Sequence, residues 1–174
     1  MSTALPPRTE SAVMDTSYGP VAIHALSWPG EEPYVALRHP VPGERTLLRL
    51  QGQCVTSTAF ASRMCDCREQ IDAGLKLTAT RPGGTMVYLP QEGRNYGLLS
   101  KVEIMRQMNR GLSLSEAQRA VGRPASRLSY ERIPELLGAL DLSGPITLLT
   151  GSTTKIQAVM AAGVLVVECA ELPQ

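Results

Sequence analysis

The chain has 174 residues, 43% of them apolar and 19% charged, which suits one soluble domain with a real core. A net charge of +1 supplies no field to recruit nucleic acid or an anionic membrane, so nucleic acid and membrane are not expected partners. No apolar run reaches the roughly 18 residues of a membrane span, and Met1–Ser11 lacks the apolar stretch of a leader, so a cytoplasmic protein is expected, with four cysteines acting as thiols or metal ligands.

In chain order, residues 1–14 read as a flexible tail and residues 15–174 as one domain. Strands are predicted over Val21–Leu26, Tyr34–Leu37 and Arg45–Leu50, separated by loops at Trp28–Pro33 and His39–Gly43. Further strands are predicted at Thr85–Leu89 and Ile146–Leu149. Helices are predicted over Cys67–Thr80, Gly97–Arg110, Ser113–Val121, Arg132–Leu140 and Thr154–Ala162. Ser113 followed by Glu116 forms a capping-box pattern. Strands and helices interleave without a regular βαβ repeat, which predicts an α/β chain with a mixed β-sheet flanked by helices.

Two segments carry chemistry. Cys54, Cys65 and Cys67 lie within 14 positions, between a predicted strand end and a predicted helix start. Three thiolates suit zinc, and three protein ligands leave a fourth position for water, which zinc ionises near neutral pH. Buried free cysteines are also common without a metal, and Cys169 remains open as a fourth ligand of a closed structural site. The second segment, Gln91-Glu92-Gly93-Arg94-Asn95-Tyr96-Gly97-Leu98, follows a predicted strand and opens a helix. Its glycines allow close backbone approach to a ligand, and Glu92 and Arg94 bring opposite charges; a solvated surface turn would have the same composition.

Together the two segments resemble GTP cyclohydrolase II. The family's Cys-Leu-Thr-Gly-Asp and Arg-Cys-Asp-Cys-Gly read here Cys54-Val55-Thr56-Ser57-Thr58 and Met64-Cys65-Asp66-Cys67-Arg68, and its Gln-Glu-Gly-Arg-x-x-Gly-Leu is intact at Gln91–Leu98, followed by Lys101. The resemblance implies one zinc per chain on Cys54, Cys65 and Cys67, a homodimer, and magnesium accompanying a phosphorylated substrate. It implies substrate contacts from Arg49, Gln70, Glu92, Gly93, Arg94, Thr150 and Lys155, with Glu92 and Arg94 the catalytic candidates. The family's reaction removes C8 of GTP as formate and releases diphosphate.

The departures are as informative. Met105 stands where the family has a catalytic tyrosine, and so lines the implied substrate pocket. The family's Asp-x-Arg-x-Tyr reads Ser126-Arg127-Leu128-Ser129-Tyr130, with Arg127 one position away from the missing arginine. Its Arg-x-His-Ser-x-Cys is Arg49-Leu50-Gln51-Gly52-Gln53-Cys54, and its Thr-Asn-Asn-Pro-x-Lys is Thr150-Gly151-Ser152-Thr153-Thr154-Lys155. A methionine cannot move a proton as a phenol does, and Leu128 cannot stabilise a phosphoryl group. The expectation is a zinc-dependent cyclic amidine hydrolase. It would open the imidazole ring of a guanine nucleotide or a related purine- or pterin-like heterocycle, without diphosphate release, stopping at the formamide, in a specialised pathway. The alternatives are an ordinary riboflavin-pathway GTP cyclohydrolase II and an inactive nucleotide-binding regulatory paralogue.

Overall fold

The predicted strands and helices assemble into one mixed sheet flanked by helices. The computed structural model describes residues 7–123 and 126–172. Seven strands, β1 (Arg8–Met14), β2 (Val21–Ser27), β3 (Tyr34–Arg38), β4 (Thr46–Gly52), β5 (Gly84–Leu89), β6 (Ile146–Leu149) and β7 (Val166–Ala170), make one mixed sheet in the order β1-β2-β3-β5-β4-β6-β7. The β1, β2, β3 and β5 neighbours are antiparallel, whereas β5, β4, β6 and β7 run parallel. The helices are α1 (Val55–Thr58), α2 (Cys67–Thr80), α3 (Glu92–Asn95), α4 (Gly97–Met108), α5 (Leu114–Ala120), α6 (Ile133–Ala139) and α7 (Thr153–Ala161). No helix among the described residues is long and apolar enough to cross a membrane.

Successive side chains along a strand point to opposite faces. On β4 this sends Leu48 and Leu50 into the larger core, where they meet Leu136 and Leu137 of α6 and Val159 of α7. Burying a leucine fully stabilises by roughly 1.5–3 kcal/mol before cavity terms are added, so this cluster is the main hydrophobic support of the sheet. The intervening Arg49 and Gln51 turn to the other face and are buried there. On that face Ile71, Leu75 and Ala79 of α2 pack with Val21, Leu37 and Met86. Gly74 of α2 passes directly over this patch, where an added Cβ would lie 3.0 Å from Met86 Sδ.

Two elements differ from the sequence expectation. Of the expected loose tail over 1–14, residues Arg8–Met14 form β1, which pairs along its length with β2 from Arg8↔Ser27 to Met14↔Val21. A turn closed by Thr16 and Gly19 joins the two strands: each backbone N–H donates to the other's carbonyl, at 3.2 and 3.0 Å. Residues 1–6 lie outside the described ones. Nearly all of this strand is exposed, so it carries no alternation of apolar residues to mark it. At the other edge, Val166–Ala170 form β7, where no strand is predicted. The capping box forms as expected, with Ser113 Oγ accepting from the Glu116 N–H and the Glu116 carboxylate accepting from the Ser113 N–H.

Candidate metal centre and substrate cavities

Ligand sites of open α/β sheets gather at the carboxyl ends of parallel strands. Gly52 of β4 lies opposite Leu89 of β5, and Leu48 of β4 opposite Leu148 of β6. The three strands therefore end on one edge. Cys54 follows β4, Gln91–Arg94 follow β5 and Thr150 follows β6.

The chain then doubles back to gather the cysteines. Cys54 precedes α1 and Cys67 opens α2. Ser57 Oγ accepts from the Arg68 N–H at 3.1 Å and Arg68 donates to the Thr58 carbonyl at 2.7 Å, tying the two helices together. The sulfurs of Cys54, Cys65 and Cys67 all lie within 4.8 Å of one another, with Cys54 and Cys65 at 3.6 Å. This donor set fits zinc: three soft sulfurs converge, and tetrahedral coordination leaves one position for a reactant. Cys169 is exposed on β7 and is not part of the group, so the described residues supply three thiol ligands and no fourth. No other group of three or more potential ligands of this kind occurs among the described residues, and the expected magnesium finds no support.

Burial and the neighbouring thiols of Cys65 and Cys54 push Cys67 far up. Burial acts to raise Cys54, but hydrogen bonds from Lys101, the Ser57 backbone and the Cys65 and Cys67 thiols together outweigh it, and the thiol is held below its ordinary value. The cluster is thus biased toward a thiolate at Cys54, and an entering dication would displace the remaining thiol protons.

Lys101, which the motif reading places after Gln91–Leu98 without a role, stands at the centre of this group. Its Nζ donates to Cys54 Sγ at 3.0 Å and to Glu92 Oε1 at 2.8 Å. Burial opposes the charge on Lys101, but these two partners keep its pKa above the ordinary lysine value. Glu92 is buried and receives two further hydrogen bonds, from the Val55 N–H at 2.6 Å and the Gly93 N–H at 3.0 Å. Glu92 therefore reaches the cysteines through Lys101. Helical spacing held the missing signal: Lys101, Ile104, Met105 and Met108 fall at i, i+3, i+4 and i+7, and all four line a cavity of about 310 Å³ over the cysteines.

The turn that delivers Glu92 is not regular helix. Gly93 and Arg94 both have φ of 59° and Asn95 has φ of 68°. The left-handed conformation is natural for glycine and costs roughly 1–2 kcal/mol for other residues, so the turn is held by its surroundings. An added Cβ at Gly93 would lie 3.3 Å from Lys101 Cβ. Arg94 lines the metal cavity, where its guanidinium donates to Gln118 Oε1 at 3.4 Å.

The other expected contact residues belong to a second cavity, of about 550 Å³, lined by Arg49, Gln70 and Thr150. Asp66 lines both cavities. Arg49 donates to Gln51 Oε1, to Gln70 Oε1 at 2.8 Å and to the Leu149 carbonyl at 2.9 Å. Lys155 turns back to the sheet, where its Nζ donates to the Leu50 carbonyl at 2.8 Å. Burial, with the nearby Arg49, pushes Lys155 down to about 8.

The segment of replaced family residues is held beside the site without entering it. Gln91 clamps Ser129 from both sides, donating to its carbonyl at 2.5 Å and accepting from its N–H at 3.1 Å. The Arg127 guanidinium lies 5.4 Å from the centre of the Tyr96 ring. Ser126 and Leu128 are exposed. None of these three lines the cavity over the cysteines.

Comparison with known proteins identifies the family. Residues 7–171 match the GTP cyclohydrolase II family. The chain is 31% identical over 160 residues to GTP cyclohydrolase-2 of Neisseria meningitidis, covering 91% of this chain and 81% of that protein. It is 38% identical over 109 residues to GTP cyclohydrolase-2 of Campylobacter fetus, covering 63% of this chain and 55% of that one. Among solved structures, the two-domain 3,4-dihydroxy-2-butanone 4-phosphate synthase RibBX of A. baumannii superposes with a TM-score of 0.53 at 16% identity. That match covers 99% of this chain and 42% of that one, and shows a shared fold.

Proposed function

The chain belongs to the GTP cyclohydrolase II family, and from that premise we propose that it is a zinc-dependent cyclic amidine hydrolase that opens the imidazole ring of a guanine compound or a closely related heterocycle and stops at the formamide. The family is one of hydrolases, and a GTP cyclohydrolase II-type function follows from membership. The observation that carries the finer reading is the cavity over the cysteines. It keeps the three sulfurs, Lys101 and Arg94, but presents Met105 where the family has its catalytic tyrosine.

Zinc, when bound by Cys54, Cys65 and Cys67, supplies the Lewis acidity for hydrolysis. The protein supplies the rest. Lys101 Nζ faces this cavity with Glu92 behind it, so the proton of the departing ring nitrogen is handled at Nζ and Glu92 steadies the ammonium. Arg94, which lines the same cavity, orients the heterocycle. Removing C8 altogether needs a second hydrolysis, with its own proton donor to the leaving amine. A thioether at position 105 cannot donate, and general acid help of this kind is worth about 10²–10⁴-fold. No residue of 126–130 lines the cavity, so the family's aspartate and arginine of that segment have no counterpart in its walls.

The second reading, an ordinary riboflavin-pathway enzyme, is favoured by the identity to proteins named GTP cyclohydrolase-2. Incubation of zinc-loaded protein with GTP, GMP, guanosine and guanine separates the two, with formate and diphosphate assayed independently. Ring opening without either product supports the proposal. Formate and diphosphate released in step with ring opening support the ordinary enzyme.

A further inference from the structure

Three guanidiniums stand at or beside the metal cavity with no acid to meet them. Arg94 and Gln118 both line that cavity. The Arg123 N–H donates to the Gln118 carbonyl at 2.7 Å and the Arg127 N–H to the Arg94 carbonyl at 3.1 Å, so both arginines are fastened to residues of its wall. Their side chains then reach one aromatic ring: the Arg123 and Arg127 guanidiniums lie 5.3 and 5.4 Å from the centre of Tyr96. Among the described residues no carboxylate pairs with Arg94, Arg123 or Arg127. The ring attracts each cation, but it does not cancel the charge that makes them repel one another.

Arg123 carries a second sign of a missing partner. Its Nε is buried without a hydrogen-bond acceptor, and its Nη1 reaches only the Val121 and Gly122 carbonyls, at 3.5 and 3.3 Å. A buried donor left unmade is costly, so the arrangement calls for a ligand that brings the acceptor. Guanidinium forks with unspent N–H groups match the oxygens of a phosphate, which take two parallel bonds from one fork. Resting on the reading of the metal cavity as a ring-opening site, we propose that Arg123 and Arg127, with Arg94 of the cavity wall, grip the phosphates of a guanine nucleotide whose ring lies over the cysteines. Neither Arg123 nor Arg127 lines that cavity, so the phosphates are held outside it, away from the metal. The two arginines thus set which substrate is bound and take no part in opening its ring.

Calorimetric titration of zinc-loaded protein with GTP, GMP, guanosine and inorganic phosphate tests this, with the mass of the nucleotide read from the same sample afterwards. The wild-type protein should bind GTP at least about tenfold tighter than guanosine, with GMP between, and the advantage should shrink with added salt. Arg127 is exposed, so R127Q leaves the core intact; it should weaken GTP by about tenfold and leave guanosine unchanged. R123Q/R127Q should weaken GTP further, and R127K should recover only part of the loss, because an ammonium keeps the charge without the fork. GTP binding unchanged in R127Q would overturn the inference. So would guanosine weakened as much as GTP, which would mean that the arginines only brace the turn around Tyr96. Inorganic phosphate binding as tightly as GTP would reveal a free-anion site instead. GTP held through these arginines but recovered with its mass unchanged would sink the ring-opening reading and leave the grip standing. Guanosine opened while GTP binds no tighter would do the reverse.

Discussion

The Lys101 ammonium sits between a thiol sulfur at 3.0 Å and a carboxylate oxygen at 2.8 Å, so one side chain couples the zinc-type cluster to Glu92. Losing a ligand and losing this support have different consequences. Cys65→Ser should abolish zinc binding almost completely, since two thiolates and a hydroxyl make a poor soft site. Lys101→Met should weaken zinc by about 10- to 100-fold, the usual cost of removing a group that orients a ligand. Metal analysis and chelator competition read both, and wild-type zinc content in Cys65→Ser would remove the assignment. Lys155 gives a pH signature. Its folded pKa, about 8, lies below the ordinary 10.5, so between those values the unfolded chain binds more protons and stability rises with pH. Relative to Lys155→Met, the protein should gain stability as pH climbs from about 8 toward 10.5, measured by urea unfolding at several pH values. A flat difference across that window would show that Lys155 keeps an ordinary pKa.

Among the elements, the short turn Glu92–Asn95 bears most directly on the site, because it aims Glu92 at the Val55 N–H and Lys101 at once. Gly93→Ala combines a left-handed φ with a Cβ 3.3 Å from Lys101 Cβ. It should cost about 1–2 kcal/mol of stability and displace Lys101. The expected readout is a lower unfolding midpoint together with weaker zinc binding; loss of neither would mean the turn relaxes freely. Local pattern showed these elements unevenly. The cysteines and the Gln91–Leu98 segment were legible because spacing and residue type coincide, and α2 and α4 because glycine and aliphatic spacing mark them. The edge strands β1 and β7 were not, because their faces are largely exposed and lack a buried stripe. The bridging role of Lys101 was not either, because its partners lie 47 and 9 residues away and meet only when β4 and β5 end side by side.

At the scale of the molecule, the ends of the parallel strands β4, β5 and β6 build the site. The exposed apolar side chains of Leu98, Leu99 and Val102 on α4 are consistent with a proposed homodimer. Light scattering should report twice the 18.7 kDa chain mass, and a monomer at micromolar concentration would contradict it. The proposed reaction opens the ring and keeps the carbon. Met105→Tyr should then restore part of the formate release, since it returns a phenol to the cavity over the cysteines. The most direct measurement is the mass of the product formed by the zinc-loaded wild-type protein from guanosine and from GTP. The account predicts substrate plus one water with C8 retained as a formyl group, and formate equal in amount to the opened ring would contradict it.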